Sequence, residues 1–265
     1  MTMLDVSQQG HIVTLTINRP DMRNALGEPG DGQVFFDVIA KINADRNIRC
    51  VILTGAGSAF SAGGNIKAMQ KRDGPFAGPA MHVADGYRRG IHQIVKSLWG
   101  LEVPAIAAVN GPAIGLGNDV ACLCDMRIAS EKAIFGATFL KIGLIPGDGG
   151  AWLLPRIIGS ARAAELLFTG NTISAATALD WGLVSQVVSD DKLLETAHDM
   201  ANDIIRQSGE SLRAAKRLMR HGQTSGFETV MEMSANAQAL MHVSEDHVEA
   251  VSAMLEKRPA EYQDK

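Results

Sequence analysis

Cysteine is scarce: three residues in a chain of 265, with no C-x-x-C pair among them. An odd, unpaired set gives no disulfide framework, and Cys122 and Cys124, set in an apolar run, read as buried free thiols. The seven histidines show no ligand spacing and form no cluster with cysteine, so no metal is expected. No long uninterrupted apolar stretch suggests a membrane span. The start, Met-Thr-Met-Leu-Asp, lacks the basic-then-apolar order of a secretory signal. Positive charge is not in excess either. With 25 Lys and Arg against 29 Asp and Glu, the net charge is −4, and nucleic acid or an anionic membrane is not an expected partner. Local basic patches remain able to grip a phosphorylated ligand. Gly111, Gly115 and Gly117 lack G-x-G-x-x-G spacing, so no dinucleotide fingerprint is present. A soluble, cytoplasmic protein of a reducing compartment is the expectation.

What the chain has is ordinary globular material, 46% hydrophobic and 20% charged, enough for one large domain with or without an appendage. Residues 11–18 alternate, with Val13, Leu15 and Ile17 on one face, as in a half-buried strand. Residues 33–42 carry Val34, Phe35, Val38, Ile39 and Ile42 at helical spacing. Residues 50–53, 105–109, 126–129 and 184–188 read as strands. Gly74, Pro75, Gly78 and Pro79 make 73–86 a loop or flap. Tyr87, Ile91, Ile94, Val95 and Leu98 then mark one amphipathic helix, stopped by Gly100 and Pro104. A further helix starts at Ala151 or at Ser160. This alternation predicts an α/β core over residues 1–195. Residues 196–265 read as helices only, with one apolar stripe of Leu212, Ala215, Leu218 and Met219 and another of Val248, Val251, Met254 and Leu255.

Two glycine-rich stretches dominate the reading. Ala59-Phe60-Ser61-Ala62-Gly63-Gly64-Asn65-Ile66-Lys67 and Asn110-Gly111-Pro112-Ala113-Ile114-Gly115-Leu116-Gly117-Asn118-Asp119 each follow a buried strand and lead into a helical segment. Such loops present backbone N–H groups at a helix start, where the dipole favours negative charge. Two aimed at one point would make an oxyanion hole; the plainer reading is that the glycines permit tight turns.

The first stretch resembles the F-x-A-G-x-D loop of the enoyl-CoA hydratase/isomerase (crotonase) family, and the second is similar to its N-G-x-A-x-G-x-G-x-[ED] segment. Asn18-Arg19-Pro20 with Asn24-Ala25-Leu26, Ile142-Gly143-Leu144-Ile145-Pro146-Gly147-x-Gly149-Gly150, Thr169-Gly170 and Trp181-Gly182-Leu183-Val184 continue the likeness in family order, over roughly residues 10–190. The resemblance implies a spiral of ββα repeats with a C-terminal helical trimerisation region, assembled as a homotrimer or dimer of trimers. It also implies an acyl-CoA thioester substrate, with coenzyme A entering as part of that substrate and no tightly bound cofactor.

Carried over by position, the resemblance makes Gly64 and Leu116 the oxyanion donors and Asp119 the first catalytic carboxylate, usually a glutamate in the family. A helix start is also an ordinary place for an aspartate. Phe139 falls where hydratases carry their second catalytic glutamate, and a ring can neither hold nor activate water. Asp148 has two readings: a compensating carboxylate, one residue beyond the place where some family isomerases carry their base, or a turn residue holding its loop. For coenzyme A, Arg23, Ala25 and Leu26 match the nucleotide-binding segment, and the main chain of Ala62, Gly64, Asn65 and Ile66 would hold adenine and pantetheine. Lys67, Lys257 and Arg258 read chiefly as solvated charges, and His82 and His92 as surface or core residues rather than pocket lining. Enoyl-CoA hydratase is the first expectation and enoyl-CoA isomerase with one carboxylate the second. A catalytically weak CoA-thioester-binding protein and a thioester hydrolase are the remaining readings.

Overall fold

Alternating apolar residues over 12–17 and the continuous apolar runs that follow build a sheet, and the computed structural model describes residues 2–263 of it and its surroundings. In chain order the elements are β1 (Leu4–Gln9), β2 (Ile12–Ile17), α1 (Asp31–Ala44), β3 (Cys50–Gly55), α2 (Ile66–Lys71), α3 (Ala80–Arg89), α4 (Ile91–Trp99), β4 (Ala105–Val109), β5 (Ala113–Ile114), α5 (Leu116–Leu123), β6 (Met126–Ser130), β7 (Ile134–Gly136) and α6 (Gly150–Thr169). They continue with β8 (Thr172–Ser174), α7 (Ala175–Asp180), β9 (Gln186–Val188), α8 (Leu193–Ile205), α9 (Gly209–His221), α10 (Phe227–His242) and α11 (Glu245–Glu256).

The large sheet has the order β1-β2-β3-β4-β6-β9 and is parallel except for β1, which pairs antiparallel with β2. A small second sheet runs β5-β7-β8. Ser61 joins it through a parallel bridge to Ala113. A unit therefore repeats: a strand of the large sheet, a short step in the small sheet, then a helix. It occurs as β3–Ser61–α2, as β4–β5–α5 and as β6–β7–α6, matching the repeating ββα arrangement that the resemblance implied.

Side chains alternate across the large sheet. Val13, Leu15, Ile17, Val51, Leu53, Ala107 and Val109 face a core shared with α1, α4, α5 and α6. Ile12, Cys50, Ile52, Ile106, Ala108 and Ile128 face the other way and are covered by Leu193, Ala197 and Ala201. These last three recur every four residues, so they form one stripe on α8. The strand expected to be half-buried is so, with Val13, Leu15 and Ile17 buried on one face and Thr14 and Thr16 only partly covered on the other, while α8 packs on the neighbouring β3, β4 and β6. The expected boundary near residue 195 falls inside that helix.

Other departures have local causes. β1 escaped the sequence reading because only Leu4 of its six residues is buried. The segment 73–86 is partly helical: a short 3-10 turn at Gly74–Phe76 precedes α3, which buries no residue fully. The single helix expected from Tyr87 onward is two, broken at Gly90 (φ −109°, ψ −89°). Both expected starts of the long helix exist, since α6 breaks at Gly159 (φ 77°, ψ 159°) between Ile158 and Ser160.

The apolar stripes of the C-terminal helices are not the faces that dock. On α9 the inward face is cationic: Arg213 and Lys216 are buried while Ala215 and Met219 are exposed. Arg213 donates to the Asp45 and Ile48 carbonyls at 3.0 and 3.3 Å and pairs with Glu102 at 2.8 Å. Lys216 donates to the Val103 carbonyl at 2.7 Å and pairs with Asp125 at 2.7 Å, a carboxylate that also accepts from the Ala105 N–H. Arg220 stacks over Trp99 at 3.9 Å. Val248, Met254 and Leu255 of α11 stand in solvent.

Removing one member of a buried ion pair strands its partner, at a cost of about 3–5 kcal/mol. Asp125 keeps Arg220 as a second partner at 3.3 Å, so the lower end applies. Lys216→Met is expected to lower unfolding free energy by about 3 kcal/mol, read from urea denaturation; a change within about 0.5 kcal/mol would show that α9 is held by something else.

Candidate active site

The Asn24 side chain organises the first glycine loop. Fully buried, it donates to the carbonyls of Ala56 and Ala59 at 2.8 and 2.7 Å and accepts from the Arg19 N–H at 2.9 Å. Further bonds run between its neighbours and the loop. Ser61 Oγ donates to the Asn24 carbonyl at 2.8 Å, Ala62 N–H to the Arg23 carbonyl at 2.9 Å and Leu26 N–H to the Gly63 carbonyl at 2.9 Å. Arg23, Ala25 and Leu26 thus lie alongside Ala62 and Gly64, with Arg23 exposed and Ala25 and Leu26 buried. Asn65 caps α2, accepting from the N–H groups of Lys67 and Ala68, and its amide donates to Glu28 at 2.8 Å. Ile66 is exposed at the start of that helix.

The second loop docks on the first backbone to backbone. Ser61 N–H donates to the Pro112 carbonyl at 3.1 Å and Ile114 N–H to the Ser61 carbonyl at 2.9 Å. Gly117 packs flat against Ser61; a Cβ there would overlap the Ser61 carbonyl oxygen and lie 2.8 Å from its Cβ. A Cβ on Gly63 would lie 2.5 Å from the Ile114 carbonyl oxygen and 3.3 Å from the Leu116 nitrogen, so the two loop backbones run side by side. Among the described residues, no acceptor meets the Gly64 N–H or the Leu116 N–H. Leu116 opens α5, where helix N–H groups have no partner in the helix and the dipole is positive.

Asp119 sits one turn further along α5 and is fully buried. Its Oδ2 accepts from the Gly150 N–H at 2.8 Å and its Oδ1 from the Asn118 amide at 3.3 Å. Gly150 begins α6, and a Cβ there would sit 2.5 Å from Asp119 Oδ1. Only a glycine lets that helix end approach the carboxylate so closely. Two residues earlier, Asp148 is 5% exposed and its Oδ1 has no hydrogen-bond partner. Burial, then the nearby Asp148 carboxylate, push the Asp119 carboxyl up to about 7, against the bonds from Gly150 and Asn118. Burial pushes Asp148 up to about 6, opposed by the charge of His92.

The structure brings Asp119, on the helix that Leu116 opens, close enough to Asp148, in the turn that enters α6, for the two charges to interact. Half-buried His92 lies beside that turn. Its Nε2–H donates to the Gly147 carbonyl at 2.9 Å, and its ring meets the edge of Tyr87 at 5.9 Å. Tyr87 in turn meets Phe76 at 6.3 Å. Phe139 packs by Gly115, its ring 3.7 Å from where a Cβ of that glycine would stand, and offers no polar group. His82 and Lys67 are exposed, Lys257 ends α11, and Arg258 is engaged by Glu249 and Glu256. Among the described residues, no three His, Cys, Asp or Glu side chains gather in a way that could hold a metal ion, and no helix is long and apolar enough to cross a membrane.

The architecture is that of solved enoyl-CoA hydratases. It superposes on the enzyme of Bacillus anthracis with TM-score 0.93 at 33% identity over the whole of both chains. The family profile described as Enoyl-CoA hydratase/isomerase matches residues 7–265. The 1,2-epoxyphenylacetyl-CoA isomerase of Escherichia coli K12 is 37% identical over 95% of this chain and 94% of its own length. The short-chain-enoyl-CoA hydratase of Clostridium acetobutylicum is 35% identical over 97% and 95%. The class is thus an acyl-CoA enzyme of the hydratase or isomerase kind. The chain belongs to the enoyl-CoA hydratase/isomerase family.

The raised carboxyls have a consequence for stability. An aspartate whose folded pKa lies above its unfolded value holds its proton longer in the native state. Stability then falls as pH rises between the unfolded value, about 3.9, and the folded one, and it is greatest below that window. For Asp119 the window closes near 7 and for Asp148 near 6. Asp119→Asn is expected to raise the melting temperature at pH 8 and to flatten its fall between pH 4 and 7. A thermal-melt series across pH checks this, and an unchanged slope would show that Asp119 ionises in the fold as readily as in water.

Proposed function

We propose that the protein is an enoyl-CoA hydratase that passes through a thioester enolate. The observation that carries the reading is the pair of buried carboxylates beside two loops with unengaged N–H groups. In this reading the N–H groups of Gly64 and Leu116 grip the thioester oxygen. Each donor of this kind contributes about 3–4 kcal/mol of transition-state stabilisation. Asp148, with the lower pKa and a free oxygen, takes a proton from water as the hydroxyl adds to the β-carbon. Asp119, with the higher pKa, returns a proton to the α-carbon of the enolate. Two carboxyls whose environments push their pKa values apart suit such a division of roles. Phe139 holds no water here, and Asp148 replaces the carboxylate missing at that position. Coenzyme A lies along Arg23, Ala25 and Leu26 and the main chain of residues 62–66, where exposed Arg23 can reach a phosphate.

Isomerisation is the second reading, and Phe139 favours it. One proton can be moved from carbon to carbon by one carboxylate, without held water. The likeness to the 1,2-epoxyphenylacetyl-CoA isomerase supports it equally. Mass spectrometry of 2-enoyl and 3-enoyl-CoA thioesters incubated in heavy water separates the two. Gain of one water is expected; deuterium uptake with a shifted double bond and no added water would establish the isomerase instead. Asp119→Asn and Asp148→Asn are each expected to lower turnover by about 10²–10⁴-fold, and full activity in either removes that residue from the mechanism.

The chain is further proposed to assemble as a homotrimer or a dimer of trimers. Exposed Phe227, Leu240, Val248, Met254 and Leu255 on α10 and α11 support this, because so much apolar surface on a terminal helical pair is what an interface covers. Light scattering is expected to give three or six times the 28.2 kDa chain mass; a monomer would refute the assembly.

A further inference from the structure

Asp148 reaches its place at the end of a loop that has little else to hold it. Gly147 makes a tight turn, its N–H bonded to the Ile145 carbonyl at 2.7 Å, and a Cβ on Gly147 would meet nothing closer than 3.8 Å. On the other side of Asp148, Gly149 and Gly150 pass directly into α6. Asp119 holds the far end of this turn through the Gly150 N–H, and His92 grips it before Asp148, its Nε2–H donating to the Gly147 carbonyl. A carbonyl only accepts, so that nitrogen carries a proton.

His92 can stand there because the chain breaks at Gly90. α3 and α4 are separate helices, and Tyr87 on the first lies against the His92 ring on the second. The contacts run in series, from Phe76 to Tyr87 to His92 to the Gly147 carbonyl to Asp148. The ionisable groups facing Asp148 are Asp119 from α5, His92 from α4 and Tyr87 from α3. Burial and Asp148 raise the Tyr87 phenol, so of the three only His92 brings positive charge.

We propose that His92 is a positioning residue: its Nε2–H fixes the Gly147–Asp148 turn so that the unpartnered Asp148 oxygen faces the water it deprotonates, and its ring couples that carboxylate to the α3 flap. The inference rests on the reading of Asp148 as a working carboxylate, but its physical core, a histidine governing an aspartate, can be measured without substrate. Phe at 92 keeps a ring against Tyr87 and loses both donor and charge. Gln keeps an N–H at the distance of Nε2 and loses only ring and charge.

The test titrates the carboxyl C=O infrared bands of the wild type, His92→Phe and His92→Gln, with Asp148→Asn and Asp119→Asn identifying each band. Thermal melts confirm that every variant is folded. Both His92 variants are expected to move the Asp148 midpoint to higher pH, since a charge favouring the carboxylate is gone. On a 2-enoyl-CoA thioester, His92→Phe is expected to lower kcat by about 10–100-fold with KM within about twofold, and His92→Gln to recover most of the loss. An Asp148 midpoint unmoved in both variants overturns the inference, as does a His92→Gln that loses as much kcat as His92→Phe. An Asp148→Asn enzyme with full activity refutes instead the role of Asp148, whatever the midpoints do.

Discussion

Everything at the site depends on two backbones approaching closer than any side chain allows. Gly117 rests on Ser61, and Gly63 rests on Ile114, with no room for a Cβ at either contact. This contact lets Ser61 bridge to Ala113 and draws the first loop into the small sheet. It also sets the Gly64 nitrogen beside the first turn of α5. The rest of the loop is held by Asn24, whose amide replaces the strand partners that the chain lacks after β3. Buried backbone groups must find partners, and here one side chain supplies several.

Burying two carboxylates close to each other works against folding, since each group has lost its water. The structure offsets this for Asp119 with the Gly150 N–H and the start of α6, and leaves one oxygen of Asp148 with nothing. A carboxylate so placed is unfavourable as a structural element and well suited to accept a proton.

The C-terminal third is attached by means that hydropathy does not reveal. α8 closes one face of the sheet with Leu193, Ala197 and Ala201, while α9 is fastened by Arg213 and Lys216. Their charged ends reach backbone carbonyls at Ile48 and Val103, just before β3 and β4, where the turns leave acceptors unused. Ala215 and Met219 of α9 and Val248, Met254 and Leu255 of α11 are left exposed, while Leu212 and Leu218 are half-buried.

The glycine loops, the central strands, α1 and the helix carrying Asp119 were legible in the sequence, because each rests on short-range patterning: alternation, apolar runs, helical spacing and motif order. The family was legible for the same reason. β1 was not, since it gains its place by pairing with β2 rather than by burial, nor was the cover that α8 gives the second face of β3, β4 and β6. The aim of Asp148 was open in the sequence, because an Asp-Gly turn looks the same whether it faces solvent or a pocket. The bond of His92 to a carbonyl 55 residues away could not be read from local pattern either, because no short-range spacing brings the two together. Local chemistry fixed which backbone turns could exist. Which carboxylates lost their water, and which helix face turned inward, was decided by long-range packing, since burial and electrostatic environment belong to the whole fold and not to any segment of it.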